Sequence, residues 1–402
     1  MIYLDNAATS LTKPDLVKER LIENFDKIGN PSRGFNKISL ASLHMVLDTR
    51  KKLARLFNIK DPRRIAFTSN ATEALNIAIS SFIGKGDHVI TSVIDHNSVL
   101  RPLYLKEAEG AEISFIDLKD RKEVLLDYDS IEAMIKPNTK AIIISHVSNV
   151  TGNITDLAFI SKLCSKHGLL LIVDAAQSAG LLDIEVKKYG IDCLCFTGHK
   201  ALFAMQGIGG IYIREGLVPK PIKVGGAGFA SFDKNHPRQM PDALEAGTLN
   251  GHGILSLNAS LDYINEIGLA NIRKKDMDLL LYFTKRLEEI PDIEIFGAKD
   301  LTKRVGIVAL RSSKIPSDRL AQILSDDYDI ATRSGAHCSP LCHKALGTDS
   351  CGLVRFSFSY FNEKEEIDRV ILALKEILGE KDDSNNIWYN NWCHDDGRFC
   401  QS

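Results

Sequence analysis

From about residue 64 the chain alternates short β-rich apolar runs with stretches of helical period. The runs Arg64–Phe67, His88–Thr91, Glu112–Ile116, Ala141–Ser145, Leu169–Val173, Cys193–Phe196 and Gly209–Ile213 read as strands. Strands alternating with helices predict an α/β fold with a mostly parallel sheet covered by helices. Between them, Leu157, Ile160, Leu163 and Cys164 recur at three- and four-residue spacing, with Asp156 placed to cap that helix. Asp129, followed by Ile131, Met134 and Ile135, reads the same way. After Gly253 the pattern changes. A long helical tract, Leu255 to Glu289, carries Leu257, Leu261, Ile264 and Ile267 on one face. Strand candidates follow at Ile293–Phe296, Gly306–Leu310 and Val354–Ser359, with a helix near Arg319–Leu324 and a last one at Glu365–Leu378. The expected organisation is an N-terminal segment (1–15), a large domain (16–253), a smaller α+β domain (254–380) and a polar tail (381–402).

Charge and composition narrow the classes. With 402 residues, 44% of them apolar, the chain can bury a substantial core. A formal net charge of -2 argues against a nucleic-acid binder, whose affinity rests on basic patches. No apolar run approaches a membrane span. The start MIYLDNAATS lacks the features of a signal peptide, so the expected location is the cytoplasm, where thiols stay reduced. Of the 8 cysteines, Cys164, Cys193 and Cys195 lie in apolar segments and read as core residues, while Cys338, Cys342, Cys351, Cys393 and Cys400 lie in polar, turn-rich surroundings.

Reactive side chains collect at the predicted carboxyl ends of strands, where open α/β sheets hold their ligands. His96 follows the strand ending near Thr91, Asn149 follows Ala141–Ser145, and Asp174 ends the run LLLIV. Lys200 follows CLCF, within Thr197-Gly198-His199-Lys200. A lysine directly after a buried strand is costly unless its charge is neutralised or used. A Schiff base to pyridoxal 5'-phosphate does both, and such sites pair the lysine with an acid facing the pyridinium nitrogen.

These segments resemble the cysteine desulfurases of the class V, fold-type I aminotransferase family. The matching stretches run in family order: YLDNAATS (3–10), NATEALN (70–76), DHNSVL (95–100), HVSNVTG (146–152), VDAAQSAG (173–180), TGHK (197–200), EAGTLN (245–250) and RSGAHCSPL (333–341). The resemblance implies that Lys200 binds the cofactor and moves the substrate's α-proton, and that Asp174 pairs with the ring nitrogen. Gln177 would bond the ring hydroxyl, and His96 would stack on the ring. It further implies that Ala71 and Thr72, at a helix start, bind the phosphate with Thr197 and His199, and that Thr248 enters from a second subunit. Arg355 would clamp the substrate carboxylate with help from Asn149. A homodimer is implied, with Arg33 and Thr248 facing the neighbouring site.

Arg333-Ser334-Gly335-Ala336-His337-Cys338-Ser339-Pro340 is a strand end followed by small and turn-forming residues. Sulfur transfer needs a thiolate, and Arg333 or His337 could lower the pKa of Cys338. The segment is similar to the short-loop (group II) desulfurases. It implies conversion of L-cysteine to L-alanine, with sulfur passing to Cys338 as a persulfide and then to an acceptor protein. Selenocysteine lyase acting on L-selenocysteine, and an aminotransferase or β-lyase in which Cys338 is not a nucleophile, are the alternatives. No metal is expected. Cys342, His343 and Cys351 fall outside the resemblance. The tail holds both tryptophans, Trp388 and Trp392, with Cys393, His394 and Cys400, too few strong ligands for a closed zinc site.

Overall fold

The computed structural model describes residues 1–31, 35–228 and 232–379. A short strand, β1 (Ile2–Tyr3), precedes helices α1 (Asp15–Asn24) and α2 (Lys37–Leu56). Next come β2 (Ile65–Thr68), α3 (Ala71–Phe82), β3 (His88–Ser92), α4 (Asn97–Ala108) and β4 (Glu112–Ile116). A minor hairpin, β5 (Leu118–Asp120) with β6 (Leu125–Leu126), leads to β7 (Thr139–Ser145), α5 (Leu157–His167), β8 (Leu170–Asp174), β9 (Cys193–Thr197) and β10 (Gly209–Ile213). Seven of these strands form one sheet in the order β2-β10-β9-β8-β7-β3-β4. Only β10 runs antiparallel to its neighbours; the other pairs are parallel.

The strand sequences read as continuous apolar runs because both faces of the sheet are covered. Along β7, Ile142 and Ile144 join the core under α2, α5 and α6, while Ala141 and Ile143 join the one under α3 and α4. The same alternation divides Leu194 and Phe196 of β9 from Cys193 and Cys195. Those two cysteines and Cys164 are buried, as the sequence predicts.

The remaining elements are α6 (Gly251–Ile267), α7 (Leu269–Leu287), β11 (Ile293–Phe296), β12 (Ile307–Ser312), α8 (Ser317–Tyr328), β13 (Ile330–Ala331), β14 (Arg333–Gly335), α9 (Pro340–Leu346), β15 (Leu353–Ser357) and α10 (Lys364–Gly379). β11, β12, β15 and β14 make an antiparallel sheet in that order. One face is covered by α7, α8 and α10; on α10, Ile367, Val370, Ile371 and Leu374 recur at helical spacing and are fully buried. Each stabilises the fold by about 1.5–3 kcal/mol. The other face, with Ile307, Ala309 and Leu353, joins the large sheet's core. The two sheets thus meet across shared apolar surface.

Three readings change. The long tract from Leu255 is two helices, broken at Gly268, whose φ of +83° ends α6 with its N–H bonded to the carbonyl of Ile264. The stretch around Asp129 is too short for an α-helix and forms two 3₁₀ turns, Tyr128–Ser130 and Glu132–Met134. Cys342, expected in a polar turn, is fully buried on α9.

Candidate active site

The carboxyl ends of β7, β8 and β9 and the N-termini of α3 and α4 surround a cleft with about 490 Å³ of empty space, part of it open to solvent. Asn70 caps α3, its side chain accepting the N–H of Glu73 at 2.9 Å. The next N–H groups, of Ala71 and Thr72, have no carbonyl one turn earlier, so this end favours an anion. Gly209 makes the arrangement possible: a Cβ there would lie 2.9 Å from the Cα of Asn70. The buried hydroxyl of Thr197 and Nδ1 of His199 also line the cleft, and neither has a partner among the described residues. Such orphaned polar atoms call for a ligand.

Asp174 ends β8 inside the cleft, with one carboxylate oxygen accepting the N–H of Ala176 at 2.8 Å. Burial pushes its pKa up to about 6, opposed by that N–H and by Lys200. Lys200 lies one turn beyond β9. Burial brings its pKa down to about 8, opposed by Asp174 and reinforced by Arg355 and Arg333. The N-terminal segment holds this turn: the Ser10 hydroxyl donates to the carbonyl of Lys200 at 3.1 Å, and the Ser10 N–H to that of His199 at 3.0 Å.

His96 caps α4, its Nδ1 accepting the N–H of Ser98 at 3.0 Å. Burial and the nearby cations Lys200 and Arg355 lower its pKa to about 4, so the ring is neutral, with its proton on Nε2. The buried Asp95 fixes the turn before it. Asp95 accepts from the Thr91 and Ser92 hydroxyls (2.8 and 2.6 Å) and from the Ser145 N–H (2.7 Å). Gln177 lines the cleft with its amide nitrogen donating to the carbonyl of Ala7 at 3.0 Å.

The cysteine loop adjoins this cleft through three bonds. The side-chain nitrogen of Asn149 donates to the carbonyl of His337 at 2.7 Å, and its oxygen accepts from the Ser339 hydroxyl at 2.8 Å. The N–H of Asn97, next to His96, donates to the carbonyl of Cys338 at 2.8 Å. Cys338 is exposed. Both His337 (φ +52°) and Cys338 (φ +55°) are left-handed, a geometry that costs a non-glycine residue roughly 1–2 kcal/mol. Arg355 is buried; it donates to the carbonyl of Asn149 at 2.9 Å and to Asp5 at 2.7 Å, while its Nε has no partner among the described residues. Burial lowers its pKa, against the pull of Asp5 and, more weakly, of Cys338.

The fold therefore brings Lys200, Asp174, Gln177, His96, Ala71, Thr72, Thr197, His199 and Asn149 to one cleft, with Arg355 and Cys338 at its edge. Thr248 is exposed and does not line it. Arg33 lies outside the described residues, as do Trp388, Trp392, Cys393, His394 and Cys400. One expectation needs correction. Burial drives the pKa of His337 well below the usual histidine range, so it is neutral and gives the thiol no positive charge. Asn149 lines the cleft and also bonds the cysteine loop through its amide and Arg355 through its backbone carbonyl. Asp5, Asp95 and Ser98 were not singled out from the sequence, although all three lie within motif segments; Asp5 and Asp95 act on partners far along the chain, Arg355 and the Ser145 N–H, while the Ser98 contact with His96 is local. Among the described residues no group of His, Cys, Asp and Glu suits a metal ion, and no helix is long and apolar enough to cross a membrane.

The chain belongs to the aminotransferase class-V family, whose model matches residues 2–370. Its relatives there include a probable cysteine desulfurase of Borreliella burgdorferi, 34% identical and covering 94% of this chain and 92% of the relative. Another, from Pyrococcus abyssi, is 33% identical with 94% of each covered. Among solved structures, the apo cysteine desulfurase of Thermococcus onnurineus NA1 matches with a TM-score of 0.88 at 34% identity, covering 94% of both chains. The cysteine desulfurase CsdA of Escherichia coli, in an S-sulfonic acid form, matches with a TM-score of 0.84 at 28% identity, again covering 94% of both.

Proposed function

We propose that this chain is a pyridoxal 5'-phosphate-dependent cysteine desulfurase, converting L-cysteine to L-alanine and passing the sulfur to Cys338. The observation that carries it is the bond from Asn97, beside His96, to the carbonyl of Cys338, which ties an exposed thiol to the lysine–aspartate cleft.

The cofactor fits the residues present. Lys200 would hold it, Asp174 would face its ring nitrogen and His96 its ring, and Gln177 its ring oxygen. Its phosphate would take the orphaned Thr197 and His199 and the start of α3, giving those buried groups the partner they lack. When bound, it supplies a carbonyl that joins the substrate's amino group and a ring that withdraws electrons from its carbon skeleton. The amine of Lys200, its pKa near 8, is poised to take the α-proton and return it to carbon. Arg355 would hold the carboxylate with its unpartnered Nε. Cys338 as thiolate attacks the substrate sulfur; the S–S bond forms, the C–S bond breaks, and the electron pair left on carbon takes a proton to give alanine. An external thiol or an acceptor protein then removes the sulfur.

A second copy of the chain would complete the site. On α2, Leu40, Leu43 and Leu47 lie exposed along one face. The buried ion pair of Arg50 with Glu245 ties that helix to the loop that carries Thr248. A homodimer would cover the leucines and bring Thr248 of the partner subunit to the phosphate. Because α6 packs into the large sheet's core, the domain boundary is better set at Gly268 than at residue 253.

Incubation with L-cysteine tests the reading. Wild type should yield alanine and sulfide, and Cys338→Ala should lose at least about a hundredfold in sulfide release while keeping the absorbance of bound cofactor. Undiminished release in the mutant rejects Cys338 as the nucleophile.

A further inference from the structure

Under the cysteine loop lies a buried chain of polar groups that the proposed chemistry does not use. Nε2 of His337 lies 3.2 Å from the carbonyl of Arg333, and its Nδ1 lies 3.4 Å from Nε2 of His343. Nδ1 of His343 lies 2.9 Å from the Thr348 hydroxyl. The rings of the two histidines stack, with planes 21° apart. All three side chains are buried.

The direction of every bond follows from one fixed end. A carbonyl only accepts, so Nε2 of His337 carries the proton. Neutral His337 then has a bare Nδ1, which must accept, so Nε2 of His343 donates. Neutral His343 in turn has a bare Nδ1, which accepts from the Thr348 hydroxyl. One arrangement satisfies the chain, and it sets the orientation of the His337 ring.

That ring belongs to the first of two successive left-handed residues, the second being Cys338. Such backbone persists only where its surroundings over-determine it. Asn149 and Asn97 hold the loop's carbonyls from the cleft side, and the histidine chain holds the side chain of His337 from beneath. We propose that His343 is a positioning residue for the nucleophile: through His337 it holds Cys338 in the conformation from which the thiol attacks. This rests on the assignment of Cys338 as the sulfur acceptor.

Two variants test it in the cofactor-loaded enzyme. Glutamine can place an N–H where Nε2 of His343 donates, whereas leucine cannot. His343→Leu should lower kcat for alanine formation by about tenfold or more, the scale of a slightly misplaced reacting group, with KM for cysteine within about twofold. Its Cys338 should also react with iodoacetamide, followed by peptide mass, at a rate several-fold different from wild type. His343→Gln should restore both. Wild-type kcat and alkylation in His343→Leu, or equal loss in both variants with a matching rise in KM, would overturn the proposal. Alkylation is read without turnover, so it reports on the loop even if Cys338→Ala shows that another group takes the sulfur.

Discussion

Lys200 and Asp174 are each displaced from their ordinary acidity by burial, and each partly restores the other. The sign of this coupling is testable in cofactor-free protein. An amine attacks an aldehyde only when neutral. At pH 8 about half of Lys200 is neutral, against under about 1% of an ordinary lysine. Borohydride trapping of added pyridoxal phosphate should therefore label Lys200 first, with a midpoint near pH 8. Asp174 raises the lysine's pKa, so Asp174→Asn should move that midpoint to lower pH; a shift to higher pH would contradict the pairing. The same scale shows what a sequence reveals. Lys200, Asp174 and Cys338 were legible because their chemistry is unusual for their local setting. The lowered pKa of His337 was not legible, because it comes from burial and from the nearby Arg355 guanidinium, opposed by the bond to the Arg333 carbonyl.

Between elements, the cleft depends on backbone passing very close to backbone. Gly180 has a φ of +88°, and a Cβ on it would lie 2.5 Å from the carbonyl of Ala201, next to Lys200. Gly180→Ala should destabilise the protein by about 1–3 kcal/mol in urea titration and weaken cofactor retention, because the turn carrying the lysine must move. A stability loss with wild-type retention would show that the strain is absorbed elsewhere. Strands were the most readable elements, since apolar runs rich in β-branched residues such as those of β7 and β8 leave little choice. Helix α9 was hidden: it has only seven residues and sits among turn-forming ones, yet it buries Cys342. Arg304 was equally opaque. It is buried without a carboxylate and donates to the carbonyls of Thr151, Phe296 and Ile307, joining the loop after β7 to the smaller sheet. Only the assembled neighbours explain such a residue.

For the whole molecule, the exposed leucines of α2 and the outlying Thr248 point the same way. The protein should sediment as twice its 44.5 kDa chain mass.

The order in which parts of the site appear along the chain also matters while it is being made. Ile2 pairs with Ile330, and Asp5 with Arg355, so during synthesis this early segment waits for partners made long after it. A nascent chain that has emerged as far as β10 already owns the amine and the acid, but neither the guanidinium nor the thiol. On the roles proposed for Cys338 and Arg355, sulfur release begins only after synthesis has passed β15.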